Sequence, residues 1–214
     1  MALTLHSMWR ATTPYRVRIG LNLKGLAYDY VGIDLVGGEA RRGPYTGLNR
    51  QGLLPTLETD AGPLTQSMAI LEWLEETHPE PPLLPASPWE RAKVRAMAEI
   101  VACDIHPLNN LRVLQKLNSL GFAFGSAEQT AWIHGWIGAG FDALEPMIAE
   151  YGGGFAFGGQ PGLADCCLIP QVYSAERYGL DLTPYPAIRA VRDRAAAHPA
   201  FAAAHPDKQP DAVK

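Results

Sequence analysis

The stretch Pro79-Glu80-Pro81-Pro82-Leu83-Leu84-Pro85 carries four prolines in seven residues and separates two halves of different patterning. Proline lacks the N–H that a helix interior or a central strand requires, so this stretch is expected to run extended, as a stiff connector. Before it, short alternating runs mix with turn signals; after about Ser87 the pattern is helical, broken by Pro and Gly. Such a seam predicts two units, 1–84 and 88–214: an α/β first half and an all-α second half.

The composition removes whole classes of protein. Hydrophobic residues make up 47% and charged residues 19%, so the chain is neither disordered nor collagenous. The net charge is −4 and no basic run occurs, which leaves nothing for a nucleic-acid backbone to bind. No apolar run reaches the roughly 18 residues of a membrane span. The opening Met1-Ala2-Leu3-Thr4-Leu5-His6-Ser7 has no basic segment followed by a long apolar one. The expectation is a soluble, cytoplasmic protein with no membrane partner. Cys103, Cys166 and Cys167 form no CxxC pair and are expected to be reduced thiols. The six histidines show no short ligand spacing, so no metal is expected.

Leu3-Thr4-Leu5-His6 alternates as a strand; a helix follows from about Pro14 to Lys24, closed by Gly25. Tyr28 to Ile33 forms a second strand, parallel to the first by the right-handed crossover rule. Thr56-Leu57-Glu58-Thr59 and Pro63-Leu64-Thr65 form a hairpin around Asp60-Ala61-Gly62, and Ser67 caps a helix with Met68, Ile70, Leu71 and Leu74 on its apolar side. The order is βαβ, a linker, then ββα. In the second half Ser87-Pro88-Trp89-Glu90 and Ser126-Ala127-Glu128-Gln129 read as capping boxes. They open helices through Val94, Met97, Val101 and Ile105, bent at Pro107, and through Ile133, Ile137, Phe141, Leu144 and Ile148. Further helices run from Leu163 to Tyr178 and from Pro186 to His198, closed by Pro199.

A βαβ-ββα half places the end of the first strand beside the start of the first helix, where free N–H groups attract anions. The run Trp9-Arg10-Ala11-Thr12-Thr13-Pro14-Tyr15-Arg16 puts two hydroxyls and an arginine there, which makes Arg10 to Arg16 the candidate site. On residue type alone Thr12, Thr13 and Ser67 read first as helix caps.

Several motifs in order carry a resemblance. They are Arg16-Val17-Arg18-Ile19, Gln51-Gly52-Leu53-Leu54-Pro55, Thr65-Gln66-Ser67-Met68, Cys103-Asp104-Ile105-His106-Pro107-Leu108-Asn109-Asn110, and Leu163-Ala164-Asp165 through Val172. With Asp181-Leu182-Thr183-Pro184 they span essentially the whole chain, which resembles the zeta-class glutathione transferases and, among these, the maleylpyruvate and maleylacetoacetate isomerases. The resemblance implies an N-terminal thioredoxin-like domain, a helical C-terminal domain and a homodimer. It also implies glutathione as cofactor and a glutathione-dependent cis–trans isomerisation of a small maleyl dicarboxylate in aromatic catabolism.

By resemblance, Pro55 is a cis-proline that presents the Leu54 backbone to the cysteinyl part of glutathione. Gln51, Gln66 and Ser67 receive the γ-glutamyl end, and His106 and Asn110 reach glutathione from the helical half. Thr13 or Thr12 donates to the thiolate, with Thr13 preferred for its closeness to Pro14. Arg10 and Arg177 suit the substrate carboxylates, because guanidinium binds carboxylate bidentately. The family's usual Arg-Ser-Ser-Cys loop is Arg10-Ala11-Thr12-Thr13 here. The absence of that cysteine counts against thiol-exchange chemistry. General conjugation, haloacid dehalogenation and non-catalytic glutathione binding remain alternatives.

Overall fold

In a computed structural model, which describes residues 3–213, the chain divides into two compact units. Met1 and Ala2 of the opening run, and Lys214 at the far limit of the expected second half, lie outside the described residues. One unit holds the chain up to Leu84 together with everything from Ala196 onward; the other runs from Pro85 to Ala195.

The first unit is built on a four-stranded sheet of order β2-β1-β3-β4. The strands are β1 (Leu3–Ser7), β2 (Tyr28–Gly32), β3 (Thr56–Thr59) and β4 (Gly62–Thr65). β1 pairs parallel with β2 and antiparallel with β3, and β3 pairs antiparallel with β4. Leu5 lies opposite Leu57, and both are fully buried; His6 and Ser7 are buried as well, so β1 is covered on both faces at its end and the alternation seen in sequence does not separate a covered face from an open one. Between the parallel strands runs α1 (Thr12–Leu23); α2 (Tyr45–Leu48) precedes the hairpin and α3 (Ser67–Thr77) follows it. α1 ends as expected at Gly25, whose φ is +67°, with Leu26 N–H donating to Leu21 O and Gly25 N–H to Asn22 O. Gly20 lets α1 and α3 approach closely, since a Cβ there would overlap Leu71.

The proline-rich stretch is fastened rather than loose. Glu75 of α3 accepts from the N–H groups of Leu83 at 2.8 Å and Leu84 at 3.2 Å, and from Lys24 Nζ at 2.7 Å. Lys24 also donates to Pro81 O at 2.8 Å.

Residues 196–214, expected in the helical half, group instead with the sheet. Arg18 Nε donates to Ala204 O at 3.0 Å and Asn22 Nδ2 to Ala200 O at 2.9 Å, which seats α10 (Pro199–Ala204) on α1. Pro199 therefore does more than close the preceding helix. It opens α10, where Ala200 N–H donates to His198 Nδ1 at 3.3 Å. Farther on, Asp211 accepts from Trp9 N–H at 3.0 Å and from the Tyr30 hydroxyl at 2.6 Å.

The second unit contains α4 (Pro88–Glu99), α5 (His106–Asn109), α6 (Leu111–Ser119), α7 (Ala127–Tyr151), α8 (Leu163–Arg177) and α9 (Pro186–Ala196), the last leaving the unit at its final residue. Its core includes Met97, Val101, Ile105, Ile137 and Phe141, periodic apolar positions of the sequence, together with Cys167 and Val172 of α8. The bend expected at Pro107 is a widened π-helical segment, Ile100–Ile105, which accommodates a proline that has no N–H to return. Ser87 occupies the N-cap of α4 but makes no side-chain bond to it, so that capping box is not formed. Ser126 does cap α7, accepting from Gln129 N–H at 3.2 Å, while Gln129 Oε1 reaches back to Gly125 N–H.

At the start of α8 the buried Asp165 accepts from Ala156 N–H at 2.8 Å and Gly162 N–H at 2.9 Å. Burial pushes its carboxyl up from 3.8 to about 7, against the opposite pull of the backbone donors. Between those values the folded chain keeps a proton that the unfolded chain has released, so this group's contribution to stability falls as pH rises through the window. Relative to Asp165→Asn, which cannot titrate, the wild type is expected to lose up to about 1.4 kcal/mol per pH unit there. Urea midpoints at two pH values inside the window measure this; an unchanged difference between the two proteins contradicts it.

Candidate functional site

α1 begins at Thr12, two residues earlier than Pro14 suggests, with Ala11 extended before it. Thr12 and Thr13 thus lie in the first turn, at the positive end of the helix dipole. Thr13 Oγ1 donates to Leu54 O at 3.0 Å, tying the start of α1 to the turn before β3. In that turn the Leu54–Pro55 peptide is cis. Two side chains brace it from the preceding segment: the Tyr45 hydroxyl donates to Leu53 O at 2.5 Å and lies 2.8 Å from Thr56 Oγ1, and Asn49 Nδ2 donates to Leu53 O at 2.8 Å. Burial pushes the Tyr45 phenol up, which keeps it protonated and able to donate.

The entry to α3 is equally constrained. Gln66 has φ +71°, the one non-glycine residue in the left-handed region among those described. Such a conformation costs an L-residue energy and persists where the surroundings enforce it. Its Nε2 donates to Gln51 Oε1 at 2.8 Å, so two expected site residues meet directly. Gln66, not Ser67, stands at the N-cap, and it makes no side-chain bond to the helix. Ser67 is the first helical residue, buried, and its Oγ lies 3.4 Å from Arg16 NH1. Thr13 and Arg16 are three residues apart on α1 and so share a face, one reaching the cis turn and the other α3.

Arg10 is half-buried, its guanidinium 5.5 Å from the Trp9 ring centroid. The structure therefore brings Thr12, Thr13, Gln51, Leu54, Pro55, Gln66 and Ser67 into the connected loops and helix starts of the first unit. His106, Asn110 and Arg177 belong to the second unit. Asn110 caps α6, accepting from Val113 N–H at 3.2 Å and donating to Pro107 O at 2.9 Å. His106 opens α5, and Arg177 is exposed at the end of α8, over Tyr178. Tyr45 was not singled out from sequence, since one turn of helix carries no periodic signal, and Asn49, the residue after α2, was given no role of its own. Among the described residues no cluster of three or more His, Cys, Asp or Glu could hold a metal ion. No helix among them is long and apolar enough to cross a membrane.

Comparison with known proteins places this geometry. Residues 13–82 match the glutathione S-transferase N-terminal domain, and residues 130–201 match the glutathione S-transferase C-terminal domain. The chain belongs to the glutathione S-transferase family. Within it, the chain is a member of the zeta class, alongside maleylacetoacetate and maleylpyruvate isomerases. It is 49% identical to the maleylacetoacetate isomerase of Pseudomonas aeruginosa over 97% of both chains. It superposes on the holo structure of a zeta-class bacterial maleylpyruvate isomerase with a TM-score of 0.93 at 48% identity, covering 98% of this chain and 100% of the other. The maleylacetoacetate isomerase of Anaeromyxobacter dehalogenans, with glutathione bound in its active site, gives 0.88 at 46% identity over 99% and 98%.

Proposed function

We propose that this protein is a glutathione-dependent cis–trans isomerase of a maleyl dicarboxylate, either maleylpyruvate or maleylacetoacetate, acting as a cytoplasmic homodimer. The observation that carries the reading is the joining of three features in one unit: the hydroxyl-bearing start of α1, the cis Leu54–Pro55 turn and the strained Gln66–Ser67 entry to α3. The donor set fits a tripeptide thiol. The Leu54 backbone serves the cysteinyl amide, while Gln51, Gln66 and Ser67, with the N-terminus of α3, serve the γ-glutamyl end.

Glutathione, when bound, supplies a thiolate that adds reversibly to the substrate double bond, permitting rotation without net consumption. The protein's part is to keep that thiol ionised and to hold the substrate. Ionisation is favoured by the α1 dipole and a threonine hydroxyl. Thr13, whose hydroxyl donates to Leu54 O, fixes the turn, and Thr12 is assigned as the thiolate donor by its place in the first turn of α1. Arg10, beside the helix start, is assigned to a substrate carboxylate, and Arg177 is assigned the same role by its chemistry as a guanidinium. By the family resemblance, His106 and Asn110 are assigned as further glutathione contacts.

Purified protein with maleylpyruvate is expected to convert it to fumarylpyruvate only when glutathione is present, with free thiol constant throughout. Steady thiol loss would assign conjugation instead, and glutathione binding without turnover would assign a binding role.

A further inference from the structure

The turn between β1 and α1 is gripped by residues far along the chain. Trp9 and Arg10 are its two central residues, and Ala11 N–H closes it by donating to Met8 O at 3.0 Å. Both polar groups of the Trp9 backbone are held from elsewhere. Its N–H donates to Asp211 Oδ2 at 3.0 Å, and its O accepts from Arg18 NH2 at 2.8 Å, while Arg18 Nε is itself held by Ala204 O at 3.0 Å. Asp211 is fixed in turn. The Tyr30 hydroxyl donates to Oδ1 at 2.6 Å, and burial, together with that carboxylate, raises the phenol above its usual range, so it stays a donor. Gln209, also buried, donates to Ala203 O at 3.0 Å and His205 O at 2.8 Å, which fastens the approach to Asp211 onto the end of α10. Gly32 of β2 leaves the space, since a Cβ there would stand 3.3 Å from Asp211 Cβ. What this carboxylate fixes is the residue before Arg10. Arg10 carries its guanidinium 5.5 Å from the Trp9 ring centroid, so where that charge stands follows from how Trp9 is held.

We propose that Asp211 is a positioning residue for substrate: by holding the Trp9 N–H it sets where Arg10 presents its guanidinium to a substrate carboxylate, and it takes no part in holding glutathione. The proposal rests on the isomerase reading above and adds to it a residue from a distant part of the sequence. The cis turn is tied to α1 through Thr13, a separate bond, so loosening Trp9 acts on the substrate end of the site. A guanidinium that must meet a carboxylate keeps its full effect only when held within a fraction of an ångström.

Calorimetry without turnover tests this with two ligands, glutathione and S-(1,2-dicarboxyethyl)glutathione, whose two carboxylates beyond the sulfur stand in for a dicarboxylate substrate. The wild type is expected to bind the adduct at least about tenfold more tightly than glutathione. Asp211→Ala is expected to remove about tenfold of the adduct affinity and to leave glutathione affinity within about twofold. In an Arg10→Met background the same substitution is expected to cost nothing further, because a residue that acts through Arg10 then has nothing to place. Equal losses for both ligands would make Asp211 merely structural and overturn the proposal. Additive losses in the double variant, or an Asp211→Ala protein that binds both ligands like the wild type, would overturn it as well. Should Asp211→Ala not fold, Tyr30→Phe decides: it frees one carboxylate oxygen and is expected to weaken the adduct about threefold more than glutathione, and equal effects overturn the proposal. If these ratios hold but the wild type turns over neither maleylpyruvate nor maleylacetoacetate, the isomerase reading falls and the positioning of Arg10 stands. Adduct bound no more tightly than glutathione by the wild type removes this proposal alone; binding of neither ligand removes the glutathione reading with it.

Discussion

Thr12→Val is expected to lower kcat for isomerisation by about 10²–10³, with the protein remaining folded. Valine preserves the β-branched shape of threonine and removes only the hydroxyl, so the change isolates one hydrogen-bond donor at the positive end of α1. A preorganised donor aimed at a developing or resting anion is worth more inside a protein than in water. The ultraviolet thiolate absorbance of bound glutathione supplies the second readout: its apparent pKa rises in the variant. Thr13→Val behaves differently. It breaks the bond to Leu54 O and is expected to cost about 1 kcal/mol of stability, with a smaller fall in kcat. Reversal of the two rate effects would assign the thiolate donor to Thr13.

Glu75→Ala is expected to destabilise the first unit by about 3–5 kcal/mol. The side chains of Lys24 and Glu75 are 0% and 6% exposed. Removing the carboxylate leaves a buried ammonium with Pro81 O, and also strips the acceptor from the N–H groups of Leu83 and Leu84. Lys24→Met removes the cation but leaves Glu75 its two backbone donors, so it is expected to cost about half as much. Urea unfolding of both variants gives the order. If Lys24→Met costs as much as Glu75→Ala, the pairing of charges outweighs the fastening of the Leu83–Leu84 segment.

The first unit was readable where its signals are local. Alternation in Leu3–His6, the Asp60-Ala61-Gly62 turn and the glycine after Lys24 each name their structure within a few residues, and the strands and helices lie close to those positions. The start of α1 was displaced because Pro14 is favourable early in a helix without marking its first residue. The return of the last residues to the sheet was invisible for another reason. It rests on bonds such as that from Trp9 to Asp211, 202 positions apart, and no periodicity reports on such a pairing. Arg16 closed the candidate run of the sequence, but a sequence does not report that it is buried or that its guanidinium faces Ser67.

The seating of α10 on α1 has a consequence for how the protein is made. Arg18 needs the carbonyl of Ala204, 186 residues later, and Trp9, just ahead of the threonines, needs Asp211. Domains fold as units while the ribosome is still extending the chain. All residues of the helical unit have been synthesised before the sheet receives its last partners. The approach to α1 that carries Trp9 and Arg10 is therefore secured only once Asp211 has been made, and the sheet unit is completed after the helical one.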